Sequence, residues 1–254
     1  MALPSGRSGS TAAPAPLTVA AAQLHSHGGD VAAAVAEHRE LLAAAADRGA
    51  QLVVFPELSL TGYEPEIIDL HRIRVDADHP ALAPLVADCT AARLHAFVGA
   101  PVSGPDGAAG LPQIGVLHID PQGRVGHAYS KQHLTPMELG LFGTGGPAGR
   151  ITIGGHRLAL SVCADAADER HPAAAAHAGA EAYLVGALFL IGAESRLESQ
   201  MTTAARLGLW TVLAQYCGGT GGGPACGGSG IWAPGGEPVE RLAGAAGVAV
   251  ATIG

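Results

Sequence analysis

Aromatic residues make up only 4% of the 254-residue chain and charged residues only 14%. With 48% hydrophobic residues, the core volume must come from Ala, Val and Leu rather than from large rings. No run of Lys or Arg occurs and the formal net charge is −8, which excludes a nucleic-acid partner. No apolar stretch approaches the ~18 residues of a membrane-crossing helix, so no membrane association is expected. The four cysteines, at positions 89, 163, 217 and 226, include no CxxC pair. Neither a zinc site nor a disulfide framework follows, and a reduced, cytoplasmic setting is expected. Residues 1–16, rich in Ala, Pro, Ser and Gly, lack the continuous apolar segment of a signal peptide and are expected to form a disordered tail. The Gly-rich run 218–230 lacks the Lys-Ser/Thr and following helix of a phosphate-binding loop. It reads as a long flexible loop near a pocket.

What is present is an alternation of strand-like and helix-like patterns. Leu17 to Gln23 reads as a strand, and Asp30 can cap a helix running to about Arg48, with apolar positions at 31, 35, 41 and 42. Strands are expected over 51–55 and 96–102, with a helix at 80–93 between them. Strands 113–120 and 124–130 flank Asp120-Pro121-Gln122-Gly123, a hairpin turn signal. A second hairpin pairs 151–153 with 157–163 around Gly154-Gly155. Helices at 166–178 and 194–208 precede strands at 182–187 and 210–216. Two last strands, near 229–233 and 247–253, are separated by the turn Pro234-Gly235-Gly236-Glu237. No internal linker divides the chain, so residues 17–254 are expected to be one domain. Continuous apolar strands imply sheets covered on both faces, with helices outside.

Three strand ends carry chemistry. Phe55-Pro56-Glu57-Leu58 brings a carboxylate, Tyr129-Ser130-Lys131-Gln132-His133-Leu134 an ammonium, and Leu158-Ala159-Leu160-Ser161-Val162-Cys163-Ala164-Asp165 a thiol. Strand ends are where α/β proteins hold reactive groups. Amide cleavage through a thiol needs a base for the thiol proton, donors for the tetrahedral oxyanion and a proton for the leaving amine. Glu57, Lys131 and Cys163 fill those roles, and the Ala164 N–H is a second oxyanion donor. Taken singly, Glu57 reads as a loop carboxylate, Lys131 as a solvated lysine and Cys163 as an inert core thiol. Each sits inside an extended motif, and the three together read as a catalytic set.

Phe-Pro-Glu-Leu-Ser-Leu-Thr-Gly-Tyr (55–63), Tyr-Ser-Lys-Gln-His-Leu (129–134) and Ser-Val-Cys-Ala-Asp (161–165) resemble the three signature segments of the nitrilase superfamily of carbon–nitrogen hydrolases. The resemblance extends over residues 17 to 253, including the lead-in 49–54, the hairpin 115–129 and the closing segment 227–236. It implies a four-layer α-β-β-α sandwich of the nitrilase type, commonly a homodimer. It implies a Glu–Lys–Cys triad, an acyl-enzyme, and neither cofactor nor metal. A second glutamate follows the lysine in such proteins, and Glu138 matches it as a group that orients the substrate amine or the lysine. The expected activity is hydrolysis of a small amide, an ω-amide or an N-carbamoyl compound, with nitrile hydrolysis the less common alternative in such proteins. Leu60 to Pro65 also resembles the glutaminase part of glutamine-dependent NAD synthetases, a reading that requires a partner. A non-catalytic binding or scaffold protein is the competing reading from another class.

The segment after the cysteine departs from the family pattern, with Ala164 where an aromatic or Asn is common and a polar stretch 166–171 before Pro172. Tyr63, Leu188 and Phe189 are candidates for the pocket wall, with core packing the alternative for Tyr63 and Phe189. His133 reads as a packing or supporting residue rather than the base. His25 and His27 form an HxH pair that reads as a polar loop rather than a metal site, and Cys217 and Cys226 read as free thiols.

Overall fold

Asp30 caps the first helix as the sequence indicates: its side chain accepts from the backbone N–H groups of Ala32 and Ala33. The computed structural model describes residues 14–147 and 149–254, so residues 1–13 of the expected tail lie outside the described residues. In chain order, β1 (Leu17–Leu24), α1 (Val31–Asp47), β2 (Leu52–Val54) and α2 (Pro65–Leu70) come first. A 3₁₀ turn at Pro80–Leu82 leads into α3 (Ala83–Ala92), followed by β3 (His95–Gly104), β4 (Gly107–Ile119) and β5 (Val125–Ser130). The second half holds β6 (Arg150–Ile153), β7 (His156–Val162), a 3₁₀ turn at Cys163–Ala167, α4 (Arg170–His177), β8 (Ala182–Ala187) and α5 (Glu194–Arg206). It closes with β9 (Trp210–Thr220), β10 (Gly223–Cys226), β11 (Gly230–Trp232), β12 (Pro238–Arg241) and β13 (Gly247–Ile253).

The strand order is β5-β4-β3-β2-β1-β9-β8-β7-β6, with β13 antiparallel to β1 and β10 and β11 antiparallel to β9. The two halves meet at a narrow seam. β1 and β9 pair only at Gln23–Gln215 and Leu24–Tyr216, because β13 takes the rest of the β1 edge over Leu17–Gln23. Polar side chains lock this seam. The buried Ser229 donates its backbone N–H to Gln23 Oε1 at 2.9 Å, and its Oγ accepts from the Gln215 N–H at 2.9 Å.

Alternation along the strands makes the layers. In β7, Leu158, Leu160 and Val162 enter the core between the sheets, while Ala159 joins a second core beneath α5. In β8, Ala182 and Leu184 face the first core, and Tyr183, Val185 and Ala187 face the second. Burial on both faces is why these segments are continuously apolar. α1 and α3 cover the β1–β4 side and α5 covers β9 and β11, which gives the α-β-β-α sandwich. Among the described residues no helix is long and apolar enough to cross a membrane.

Three departures from the sequence reading have local causes. The expected loop 218–230 is in part a hairpin, since β9 runs on to Thr220 and β10 returns against it, register Cys226–Cys217. The helix expected over 166–178 is broken at Asp168, where the 3₁₀ turn ends in extended backbone before α4 begins. α2 and β12 were not expected from sequence. α2 is six residues opened by Pro65, and β12 is a largely exposed edge strand.

Candidate active site

The loop carrying Glu57 is held from both sides by glycines. β2 ends where the Phe55 N–H donates to the Phe97 carbonyl, and the chain then turns tightly with Leu58 at φ +53°. A Cβ on Gly99 of β3 would run into the Pro56 carbonyl and come within 2.5 Å of Leu58 N. A Cβ on Gly186 of β8 would lie 2.7 Å from the Phe55 carbonyl. Only glycine at both positions lets the loop sit between the sheets. The Tyr216 hydroxyl then donates to the Glu57 carbonyl at 2.7 Å.

Lys131, just past β5, is fully buried between two carboxylates. Its Nζ donates to Glu57 Oε1 at 2.5 Å and to Glu138 Oε1 at 2.7 Å, and all three side chains are sealed from solvent. Glu138 Oε1 also accepts from the Tyr63 hydroxyl at 2.8 Å, and its Oε2 accepts from the Thr135 N–H at 2.8 Å. Every Glu138 oxygen is thus occupied. Glu57 Oε2 is buried with no hydrogen-bond partner. One oxygen of one carboxylate is therefore left to take a proton.

Burial drives the Glu57 pKa up to about 7 against the pull of Lys131, with the charge of Glu138 adding to the rise. For Lys131 burial favours the neutral amine, but Glu57, Cys163 and Glu138 outweigh it and hold its pKa above the ordinary lysine value. Cys163 follows β7 with φ +46°, a left-handed conformation that costs a non-glycine residue energy and marks reactive turns. It is half-buried, and its Sγ lies 3.7 Å from the Leu188 carbonyl. Burial and then the charge of Glu57 push its thiol up to about 12, with Lys131 opposing. At rest the sulfur is therefore held as the thiol rather than the thiolate.

Asp165, fully buried two residues after Cys163, ties the thiol turn to the lysine loop. Its Oδ1 accepts from the backbone of Gln132 (3.1 Å) and His133 (2.9 Å) and from His133 Nδ1 (3.0 Å). Its Oδ2 accepts from the Tyr129 hydroxyl (2.7 Å) and the Val162 N–H (3.1 Å). Behind it, His171 Nδ1 meets the Tyr183 hydroxyl at 2.8 Å, and Tyr183 donates to Ser161 at 2.8 Å. Since Gln132 can only donate to His171 Nε2 at 3.1 Å, the His171 proton sits on Nδ1. Burial holds the His171 pKa below the ordinary histidine value.

The structure therefore brings Glu57, Lys131, Glu138 and Cys163 together. Tyr63 is buried with its hydroxyl on Glu138, and Leu188 presents its carbonyl to the thiol. Ala164 lies in the first turn of the 3₁₀ segment, where N–H groups have no acceptor within the helix. Phe189 turns toward the second core under the Arg196 guanidinium, 5.7 Å from its ring centre. Its backbone is clamped by Gln215, whose Oε1 accepts from Phe189 N–H at 3.0 Å and whose Nε2 donates to its carbonyl at 2.8 Å. His133 bonds Asp165, so it supports the lysine loop. His25 and His27 both meet the Glu37 carboxylate, at 2.8 and 2.7 Å. Sequence reasoning missed the roles of Asp165, His171 and Gln215. The only sequence signal for Asp165 was its place two residues past the thiol.

A carbon–nitrogen hydrolase family profile matches residues 18–254. A crystal structure of an amidase from Nesterenkonia sp. is similar, with TM-score 0.81, 27% identity, and coverage of 97% of this chain and 94% of that one. A double mutant of the amidase from Nesterenkonia sp. AN1 in complex with acrylamide matches with TM-score 0.82 and 26% identity, covering 94% and 91% of the two chains. Another variant of that amidase, with TM-score 0.80, 26% identity and coverage of 93% and 90%, carries the acetamide moiety of fluoroacetamide on its active-site cysteine. In sequence, a glutamine-dependent NAD(+) synthetase of Mycobacterium tuberculosis is 40% identical over 84 residues. That match spans 33% of this chain and 12% of the synthetase.

Proposed function

This chain belongs to the carbon–nitrogen hydrolase family, and on that premise we propose that it hydrolyses a small amide through an acyl-enzyme on Cys163. Glu57 takes the thiol proton as sulfur attacks the carbonyl carbon. The oxyanion is held by the Lys131 ammonium and the Ala164 N–H. Collapse of the tetrahedral intermediate breaks the C–N bond, and Glu57 returns its proton to the departing amine. Water, deprotonated by Glu57, then attacks the thioester and releases the acid and the free thiol. Glu138, held by Tyr63 and Thr135, keeps Lys131 in place.

The observation that carries this reading is the buried ammonium of Lys131 shared by Glu57 and Glu138, with one Glu57 oxygen left without a partner. Burying one cation with two carboxylates is costly for stability and is repaid here in chemistry. The small-amide substrate is supported by the likeness to the Nesterenkonia amidases. The short stretch shared with the NAD synthetase favours a second reading, a glutaminase that delivers ammonia to a partner.

The test is ammonia release over a panel of aliphatic amides, ω-amides including glutamine, N-carbamoyl compounds and nitriles, with Cys163→Ala as the blank. Release from simple amides above that blank is expected. Release from glutamine alone favours the second reading, and activity equal in the blank rejects the thiol mechanism.

A further inference from the structure

The Gly-rich segment that sequence presented as a loop is a rigid two-stranded tip, and it leans on the site. Gly221 N–H donates to the Tyr63 carbonyl at 3.0 Å. A Cβ on Gly222 would lie 3.0 Å from Leu188 Cδ2 and 3.1 Å from Tyr63 Cε1. These two neighbours reach the chemistry from opposite sides. The Tyr63 hydroxyl is on Glu138, and the Leu188 carbonyl is beside the Cys163 thiol. One glycine thus spans the gap between the Glu138 side and the Cys163 side.

The tip is fixed rather than hinged. Inside it, the Thr220 hydroxyl donates to the Gly223 carbonyl at 2.7 Å and accepts from the Gly222 N–H at 3.2 Å. Along its outer strand, Ile191 N–H donates to the Pro224 carbonyl and Cys226 N–H donates to the Phe189 carbonyl, both at 2.9 Å. The backbone of Gly222 does not lie in the left-handed region, unlike that of Gly223 at φ +121°. Glycine at 222 is therefore set by space against Tyr63 and Leu188, not by chain conformation.

Resting on the amide-hydrolase reading, we infer that Gly222 and Leu188 form the wall that limits acyl-chain length, so that the substrate is the amide of a short, unbranched acyl group. An acyl chain bound to Cys163 and extending past Leu188 meets the Leu188 side chain backed by the hydrogen-bonded Gly222 tip. Adding a methyl at 222 pushes the flexible end of Leu188 toward the acyl space, and trimming Leu188 opens it. One methylene in such a pocket is worth ~10-fold or more in selectivity.

The test does not depend on turnover. Alkylation of Cys163 by 2-chloroacetamide and by 2-chlorohexanamide is followed by intact-mass spectrometry, each rate normalised to that of free glutathione. The wild-type chain is expected to prefer the short reagent by ~10-fold or more. Leu188→Ala should bring the ratio toward unity, and Gly222→Ala should widen it. If Gly222→Ala does not fold, Leu188→Ala alone decides. A ratio indifferent to Leu188→Ala, or a wild-type chain with no size preference, overturns the inference. Size selection in a chain that hydrolyses no amide would leave this wall standing and remove the amidase reading. Amide hydrolysis with a labelling ratio blind to the substitution would do the reverse.

Discussion

The Asp165 carboxylate accepts the backbone N–H of Gln132 at 3.1 Å, joining the residue after Lys131 to the turn that carries Cys163. Lys131 and Cys163 directly follow strands β5 and β7, which are not neighbours in the sheet order. This side chain and its partners bridge the two.

Asp165→Ala should therefore cost stability and activity together. It strands the buried Val162 N–H and Tyr129 hydroxyl and the part-buried N–H groups of Gln132 and His133. At roughly 1–3 kcal/mol for each buried donor left unpaired, a loss of about 3–5 kcal/mol is expected after relaxation. Urea unfolding checks the stability, and active-site titration with an electrophilic amide checks that the remaining folded fraction reacts slowly.

Tyr63→Phe should fold normally and turn over slowly. It removes the hydrogen bond to Glu138 Oε1, the oxygen that also holds Lys131, while keeping the ring against the hairpin tip. A hydrogen bond to a charged group is worth about 1.5–3 kcal/mol, so kcat should fall ~10-fold or more with KM little changed. A rise in KM at constant kcat would instead make Tyr63 a binding wall alone.

The pH profile of kcat/KM should report Glu57. Its carboxylate must be ionised to take the thiol proton, and burial places that ionisation at about 7. The rate should fall about tenfold per pH unit below that value and level off above it. No descending limb from the thiol is expected below pH 10, since Cys163 is pushed up to about 12. An ascending limb near the ordinary glutamate value would contradict this assignment.

Stability should depend on the same charges with opposite signs. The Glu57 pKa is raised on folding, so its contribution is full below the unfolded glutamate value and is lost as pH rises through about 7. Glu57→Gln, which cannot ionise, should match the wild type near pH 4.5 and exceed it by about 1–3 kcal/mol at pH 8. Lys131→Met leaves two buried carboxylates facing each other and should cost about 3–5 kcal/mol, the deficit growing from pH 5 to pH 8. Thermal melts of the three chains across that range check both signs.

Much of this was legible in the sequence for identifiable reasons. Glu57, Lys131 and Cys163 each end an apolar strand within a recognisable motif, and α1 announces itself through Asp30 and its buried Val35, Leu41 and Leu42. The rest depends on contacts distant along the chain. Asp165 finds Tyr129 and Gln132 more than thirty residues away, and Gln215 holds Phe189 across two strands. β10 has no strand-like composition: Gly223-Pro224-Ala225-Cys226 is extended because β9 and the 189–191 segment supply its partners. Phe189, a wall candidate by composition, is turned toward α5 because alternation past β8 sends it there.

The central claim is that Cys163 carries the acyl group. Rapid quenching of the enzyme during turnover of its best amide, followed by intact-mass spectrometry and peptide mapping, tests it directly. An increase equal to the acyl group minus one hydrogen is expected, located on Cys163 and absent from Cys163→Ala along with ammonia release. Ammonia release from Cys163→Ala at the wild-type rate, or an acyl adduct on another residue, would contradict it.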